Sequence, residues 1–190
     1  MNPMKKLLIF LFCSVMAFAQ KDLSSAEKFQ AELNKSYADS LKSPLTKEDF
    51  KQFKGLDFFS INEKYIVEAT FIRTKKEKPF GMKTTTSRTP LYKKYGELHF
   101  EIDGKAFKLN VYQNVDLNKK PGYEDYLFLP FSDLTCGKDS YIGGRYIDMR
   151  IPKSEKVTVD FNQAYNPYCA YNYEYSCPIV PLENDLDIEI

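Results

Sequence analysis

The fold is decided by residues 96–112, whose sequence is GELHFEIDGKAFKLNVY. Apolar and polar residues alternate on both sides of a central Asp-Gly pair, and this arrangement is the strongest short-range signal for a two-residue β-hairpin. Pairing across the turn sets Phe100 opposite Phe107 and Leu98 opposite Leu109 on one face of the hairpin. The residues of the opposite face are Glu97, His99 and Glu101.

Outside this hairpin, short runs rich in β-branched and aromatic residues are separated by turn-forming residues. They predict strands at 65–72, 126–129, 145–151 and 156–161, and a closing strand at 186–190. Strands and helices do not alternate along the chain, which disfavours a parallel sheet. The sequence therefore predicts a mostly β protein, an antiparallel barrel or sandwich of about six to eight strands with one or two N-terminal helices.

Two helices are predicted before the first strand. Residues 24–27, Ser-Ser-Ala-Glu, have the spacing of a capping box, and apolar residues then recur every four positions as far as Leu41. We expect this helix to end at Ser43-Pro44, with its apolar stripe either packed on the core or bound to a partner. A second, short helix is expected to begin at Thr46 and to stop before Gly55.

Residues 1–19 have the three parts of a secretory signal peptide. Two lysines give a basic start, an apolar run too short to span a bilayer occupies residues 7–18, and an A-x-A cleavage site ends at Ala19. We therefore expect cleavage after Ala19 and export to the periplasm or the extracellular space. A lipid on Cys13 is the less favoured alternative, because Phe12 stands where a small residue is required.

Charge and length limit the class of protein. The chain has a formal net charge of +1, and removal of residues 1–19 takes away two lysines and no acid, which leaves −1. Such a chain lacks the broad positive field that attracts nucleic acids or anionic lipids, so neither partner is expected.

No second apolar run of bilayer length follows. Residues 20–190 suffice for one globular domain, with a helical lead-in at 24–55 and a β domain at 56–190.

Two segments, 131–146 and 160–184, do not alternate like ordinary strands. They are rich in residues that interrupt strands or carry chemistry, such as glycine, proline, asparagine and cysteine. The first contains the motif G-x-x-x-Y-x-x-G-R-Y at 137–146. The second contains D-F-N-x-A-Y-N-P-x-C-A-Y at 160–171 and C-P-x-x-P-x-E-N at 177–184.

Together with Ser43-Pro44-Leu45, Phe53-Lys54-Gly55-Leu56 and Tyr95-Gly96, these motifs resemble those of the uncharacterised bacterial and archaeal family called domain of unknown function 1684. The resemblance covers nearly all of residues 20–190 and implies no assigned activity. Members of that family usually continue past the last strand into a short glycine-containing tail. Because this sequence stops at Ile190, a trimmed C-terminus is expected.

The cysteines leave three arrangements open. In an oxidising compartment Cys169 and Cys177 would close a ring of about nine residues, which contributes about 2.5 kcal/mol through chain entropy. Free buried thiols and a metal site are the alternatives, and the role of Cys136 is open. A metal site is disfavoured because the Cys-x7-Cys spacing is not that of zinc ligands and the single histidine, His99, lies on a regular strand. We expect neither a metal nor a cofactor.

Arg145 is the most informative charged residue. It follows two glycines and opens a predicted strand, so its guanidinium could hold a carboxylate or a phosphate group of a ligand. The competing interpretation is an internal ion pair that joins the two irregular segments. The candidate partners in that case are Asp133, Asp148 and Asp160.

Polar residues and tyrosines crowd the second segment. Asp160 and Glu183 would be a pair of carboxylates for acid and base chemistry, although Asp and Asn near proline commonly form turns with their own backbone. The spacing matches no calcium loop. The tyrosines either line a ligand cavity or pack the segment onto the sheet. They are Tyr165, Tyr168, Tyr171, Tyr173 and Tyr175.

The leading hypothesis is an exported β protein that binds a small molecule or a glycan in a cleft between segments 131–146 and 160–184. A hydrolase that uses Asp160 and Glu183, and a structural or interaction protein of the cell envelope, are the alternatives. No nucleotide loop, dinucleotide fingerprint, metalloprotease helix or nucleophile elbow occurs in the sequence. The predicted ligand-binding residues are Tyr141, Arg145, Asn162, Asn166, Tyr171 and Asn184.

Overall fold

A single antiparallel sheet organises the protein, whose computed structural model describes residues 23–190. The predicted signal peptide, residues 1–19, lies outside the described residues. Six strands lie in the order β6-β5-β4-β3-β1-β7, the short β2 pairs with β3, and the sheet curls into a half-barrel. The strands are β1 (Ile66–Arg73), β2 (Phe80–Gly81), β3 (Leu91–Ile102), β4 (Lys105–Asn114), β5 (Tyr126–Phe131), β6 (Arg145–Arg150) and β7 (Lys156–Asp160). The predicted mostly β, antiparallel fold is confirmed.

The β3–β4 hairpin has the predicted register. Phe100 faces Phe107 and Leu98 faces Leu109. The turn residues Asp103 and Gly104 both have positive φ angles, 52° and 74°, as a type I′ turn requires. This turn matches the right-handed twist of the flanking strands and therefore fixes their pairing.

Two helices precede the sheet: α1 (Ser24–Tyr37) and α2 (Lys47–Gln52). The first helix ends six residues before the predicted Ser43, because a turn around Asp39 takes over. The side-chain carboxylate of Asp39 accepts a hydrogen bond from the Leu41 amide, and the backbone carbonyl of Asp39 accepts one from the Ser43 amide. Leu41 consequently lies outside the apolar stripe and is 93% exposed.

The second helix begins as predicted. The Thr46 side chain accepts a hydrogen bond from the Asp49 amide at 3.1 Å and caps the first turn. The first helix packs its aromatic residues on the rest of the chain: Phe29 contacts Tyr165, and Tyr37 contacts Tyr171. The prediction that the apolar stripe of α1 packs on the rest of the chain is therefore confirmed for Phe29 and Tyr37. No helix within residues 23–190 is long and apolar enough to cross a membrane.

The predicted closing strand at 186–190 is wrong. This segment runs beside residues 132–134 instead, where the Leu186 amide donates to the Ser132 carbonyl and the Leu134 amide donates to the Ile188 carbonyl. The partner segment is itself irregular, so the pairing does not extend into a ladder. The two-residue strand β2 was not predicted, because it is too short to show a period of two.

Both faces of the sheet carry apolar clusters. The larger cluster lies on one face of the sheet and includes Leu98, Phe100, Leu109 and Phe131. The smaller cluster lies on the other face and consists of Met82, Tyr92, Tyr112, Phe128 and Tyr146. Because neighbouring residues of a strand point to opposite faces, Arg145 and Tyr146 belong to different sides of β6. This alternation separates the cavities beside Arg145 from the cavity beside Tyr146, which are described below.

Candidate functional site

Gly144 lets the chain place Arg145 at the start of β6. Its φ is +84°, and a β-carbon built at this position would lie 2.5 Å from the backbone oxygen of Phe131. Phe131 is paired with Arg145 at the ends of β5 and β6. A residue without a side chain is therefore required where the two strand ends meet.

The guanidinium of Arg145 forms a buried ion pair. Its Nη2 atom lies 2.7 Å from Oδ2 of Asp133, and the two side chains are 7% and 0% exposed. The same nitrogen donates to the backbone oxygen of Ile190 at 2.6 Å, and the Ile190 amide donates to Asp133 Oδ2 at 2.8 Å. Of the three predicted partners, Asp133 is the one that the structure brings to Arg145. The pair fastens the segment at 131–146 to the end of the described chain.

Burial and aromatic contacts define the environment of this guanidinium. Burial lowers the pKa of Arg145, and the adjacent Asp133 carboxylate opposes that shift. The guanidinium carbon lies 5.0 Å from the centre of the Phe131 ring and 5.2 Å from that of Phe59, so it is held between two aromatic rings. The Nε atom is buried and has no hydrogen-bond partner among the described residues.

Arg145 lies at the boundary of two adjoining cavities, of about 110 Å³ and 390 Å³. Both are lined by the predicted segments: Asp139 and Arg145 come from 131–146, and Ala164 comes from 160–184. The predicted meeting of these segments is therefore observed. A third segment, which carries Phe58 and Phe59, also lines both cavities.

Two residues that line the smaller cavity each carry a buried polar atom that lacks a partner among the described residues. One is Nε of Arg145, a donor, and the other is Oδ1 of Asn166, an acceptor. The Asn166 amide nitrogen donates to the Tyr171 hydroxyl at 3.4 Å, and both residues line the cavity. Buried polar groups normally have partners, so these two residues are the part of the cavity wall where hydrogen bonding is incomplete.

The charge of the cavity argues against the predicted role of Arg145 as an anchor for an anion. Its positive charge is already compensated by Asp133 at 2.7 Å. The other charged residues that line the smaller cavity are Asp57 and Asp139, both exposed. An anionic ligand would meet a net negative surface, whereas a neutral ligand would not.

Phe58 and Phe59 were not found from the sequence. They belong to the stretch 56–59, which has neither a helical nor a strand period. Phe59 is nevertheless 47% exposed while lining both cavities. Two consecutive phenylalanines in a loop were the available signal, because a loop rarely exposes such residues without a partner or a ligand.

Three predicted binding residues have structural roles. Asn184 is fully buried and joins β4 to β5: its Nδ2 donates to the carbonyls of Pro130 and Asn110, and its Oδ1 accepts from the Asn110 amide. Asn162 lines the larger cavity, but its side chain bonds Asn62 and Asp160.

The remaining one, Tyr141, lines neither cavity. Its hydroxyl lies 3.8 Å from the sulfur of Cys169, and burial raises its pKa to about 12. Of the six predicted binding residues, Arg145, Asn166 and Tyr171 are thus the ones that line the smaller cavity.

The two predicted catalytic carboxylates occupy different parts of the sheet. Asp160 ends β7 and caps the 3-10 turn Phe161–Gln163 by accepting from the Asn162 amide. Glu183 is exposed on the 3-10 turn Leu182–Asn184, which packs against β4. Since β3 and β1 lie between β4 and β7, the geometry gives no support to an acid and base pair.

Cys136, Cys169 and Cys177 are free thiols in the structure, so the disulfide, one of the three arrangements that the sequence left open, is not formed there. Cys169 and Cys177 are nevertheless neighbours, because the Cys169 amide donates to the Cys177 sulfur at 3.2 Å. Burial raises the pKa of Cys177 to about 12. Cys136 accepts a hydrogen bond from the Asp133 amide at 3.4 Å. Among residues 23–190, no group of three or more potential metal ligands is found.

Comparisons with known proteins identify the family of the chain. A family model described as "Protein of unknown function (DUF1684)" matches residues 51–190. The chain is similar to the solution NMR structure of an uncharacterised protein of Haloarcula marismortui, with 31% identity over 88% of this chain and 90% of that one, and a TM-score of 0.69. Comparison with curated proteins gave no significant match. The chain therefore belongs to the DUF1684 family.

Proposed function

We propose that the protein binds a small, neutral, polar molecule such as a sugar unit in the cleft between segments 131–146 and 160–184. The observation that carries this proposal is that two residues lining one cavity carry an unpartnered donor, Arg145 Nε, and an unpartnered acceptor, Asn166 Oδ1. A hydroxyl group can accept from the first and donate to the second. A carboxylate can accept but cannot donate.

The walls of the cleft support the same class of ligand. Phe58, Phe59, Tyr165 and Tyr171 present apolar ring surfaces, and the Tyr171 hydroxyl adds a polar edge. Aromatic rings pack against the apolar face of a sugar ring while hydroxyl groups around its edge take hydrogen bonds. Most of the ligand would lie in the larger cavity, because 110 Å³ holds only one end of a sugar.

The test is a ¹H–¹⁵N NMR titration with glucose, N-acetylglucosamine and glucuronate. We expect the two neutral sugars to shift the resonances of Phe59, Asn166 and Tyr171. Glucuronate should bind more weakly, because the cleft offers no uncompensated positive charge to its carboxylate. Asn166→Ala should weaken binding about fivefold, the effect of one hydrogen bond. The matched control is Asn172→Ala, since the Asn172 side chain bonds the Pro44 carbonyl outside the cleft. Strongest binding of glucuronate, or no binding of any sugar, would refute the proposal.

We also propose that the protein is exported and that Cys169 and Cys177 form a disulfide in the oxidising compartment. The supporting features are the signal-peptide pattern of residues 1–19 and the contact between the two cysteines. Expression of the full chain with its leader, followed by N-terminal sequencing of the accumulated protein, tests export. The mature chain should begin at Gln20, and a chain that keeps residues 1–19 would contradict the proposal.

A further inference from the structure

A separate cavity of about 320 Å³ lies on the other face of β6, away from Arg145. Its walls include five aromatic side chains, which come from three elements: α1, β6 and the segment at 160–184. Its volume is within the range of small-molecule sites. The aromatic residues are Phe29, Tyr146, Tyr165, Tyr168 and Tyr175.

One carboxylate, that of the solvent-exposed Asp148, belongs to a residue that lines this aromatic cavity. Asp148 follows Tyr146 by two positions on β6, so the two side chains share a face of the strand. Its Oδ1 atom accepts hydrogen bonds from the hydroxyls of Tyr126 at 2.7 Å and Tyr165 at 2.6 Å. These two donors hold the carboxylate in place without neutralising its charge. Within residues 23–190, no lysine or arginine lies within ion-pair distance of Asp148.

The tyrosines beside this carboxylate remain neutral hydrogen-bond donors. Burial raises the pKa of Tyr165, and the nearby Asp148 charge raises it further. The same two causes act on Tyr126. Asp148 is the one charged side chain among the described residues that line the cavity, and Arg88 lies next to the wall, where it donates to the backbone oxygen of Ser176 at 3.4 Å.

We propose that this cavity binds a quaternary ammonium group, such as the trimethylammonium group of a small molecule. The face of an aromatic ring carries partial negative charge and attracts cations, and several rings together replace the weak hydration of a methylated ammonium. Such a group has no N–H donors, so contact with ring faces costs it no hydrogen bonds, whereas a primary ammonium loses hydration there that a single carboxylate only partly replaces. Asp148 supplies the counter-charge. This site is distinct from the sugar cleft, although Leu33 and Tyr165 line both.

The first test compares choline with its neutral isostere 3,3-dimethylbutan-1-ol on the unmodified protein. Both have the same shape, so a purely apolar cavity would bind them equally. We expect choline to bind about tenfold more tightly, with shifts confined to Phe29, Tyr146, Tyr165 and Tyr168 in an NMR titration. Equal binding of the two molecules, or no binding of choline, would overturn the proposal, and neither outcome depends on a variant that folds.

The second test uses single substitutions. Asp148→Asn keeps an oxygen for the two tyrosine hydroxyls but removes the charge, and it should weaken choline binding about fivefold while leaving the isostere unchanged. Tyr168→Leu removes an aromatic face but keeps apolar volume, and it should weaken choline binding about threefold. The control is Asp125→Asn, another carboxylate near β5 that lies outside the cavity. An equal loss in the control would refute the role of Asp148.

A quaternary ammonium group can come from a free solute or from a lipid head group, and co-sedimentation with phosphatidylcholine vesicles separates the two. Sedimentation that Asp148→Asn abolishes would identify the lipid head group as the source and support the site. Choline binding without sedimentation would identify a free solute and equally support it. Sedimentation that Asp148→Asn leaves unchanged, together with absent choline binding, would refute it.

Discussion

Nη2 of Arg145 and Oδ2 of Asp133 lie 2.7 Å apart in a part of the protein where neither side chain is more than 7% exposed. Asp133→Ala would leave the guanidinium charge buried without its counter-charge. We expect the free energy of unfolding to fall by about 3–5 kcal/mol, as measured by urea denaturation. The control is Asp125→Ala, because Asp125 pairs with Arg150 at the same 2.7 Å but both side chains are 56% exposed. That variant should lose about 0–1 kcal/mol, and equal losses would contradict the prediction.

Asn184→Ala should destabilise the protein without affecting ligand binding. The side chain is fully buried and makes three hydrogen bonds to the backbone of Asn110 and Pro130. Their loss leaves buried groups without partners, so the free energy of unfolding should fall by at least about 2 kcal/mol. Glu183→Ala, at the exposed neighbouring residue, should change it by less than about 0.5 kcal/mol. A variant of Asn184 that is stable but fails to bind sugar would restore the predicted binding role.

Gly144→Ala should be far more costly than Gly122→Ala, although both glycines have nearly the same φ, 84° and 83°. A β-carbon at Gly144 would lie 2.5 Å from the Phe131 carbonyl oxygen, whereas nothing lies within 4 Å of one at Gly122. We expect a loss of about 1 kcal/mol at Gly122 and of about 3 kcal/mol at Gly144. Thermal unfolding of both variants measures the difference. Similar melting temperatures would show that close approach of the strand ends is unimportant.

Glu97 should make stability depend on pH in the acid range. Two hydrogen bonds lower the Glu97 pKa from 4.5 to about 2: the one from Lys94 has the larger effect, and the one from His99 has the smaller. Because the folded-state pKa lies below the unfolded one, the stabilisation is present above pH 4.5 and is lost as the pH falls toward 2. Since Glu97 is partly exposed, the effect should be about 1 kcal/mol. Urea denaturation of Glu97→Gln across this range should show a flatter profile than that of the parent protein, and parallel profiles would contradict the assignment.

Mild oxidation with glutathione disulfide should remove two titratable thiols per folded chain once residues 1–19 are absent. The Cys169 amide already contacts the Cys177 sulfur, and a ring of about nine residues contributes about 2.5 kcal/mol. Peptide mapping should find Cys169 linked to Cys177 and Cys136 reduced. The melting temperature should rise on oxidation in the parent protein but not in Cys177→Ala. A glutathione adduct on either cysteine in place of the ring would contradict the predicted disulfide.

The sequence was sufficient where the deciding contacts are local. The Asp103-Gly104 turn requires two positive φ angles and leaves one register for its flanking strands, so the hairpin was predicted with its pairs. The helix cap at Thr46 is local in the same sense. The predicted end of the first helix was wrong because its apolar spacing continues to Leu41, while the side chain of Asp39 offers the backbone a competing turn.

The site was only partly predictable because its contacts join distant segments. Three aspartates were acceptable partners for Arg145 on sequence grounds, and only the geometry of the sheet selects Asp133. Asn166 was predicted as a binding residue, but its unpartnered oxygen cannot be seen in a sequence. Phe58 and Phe59 were missed because a residue in a loop has no periodicity to show which way it faces.

The pairing of β1 with β7 bears on the order in which the protein folds. Ile66 is opposite Asp160, so these neighbours in space are far apart along the chain, whereas β3 and β4 are joined by two residues. The entropy of closing so long a loop makes this pairing intrinsically slow, and the hairpin can form well before it. The sugar cleft and the aromatic cavity both use side chains that follow β7 in the sequence, including Tyr165. Binding competence should therefore appear in the last kinetic phase of refolding.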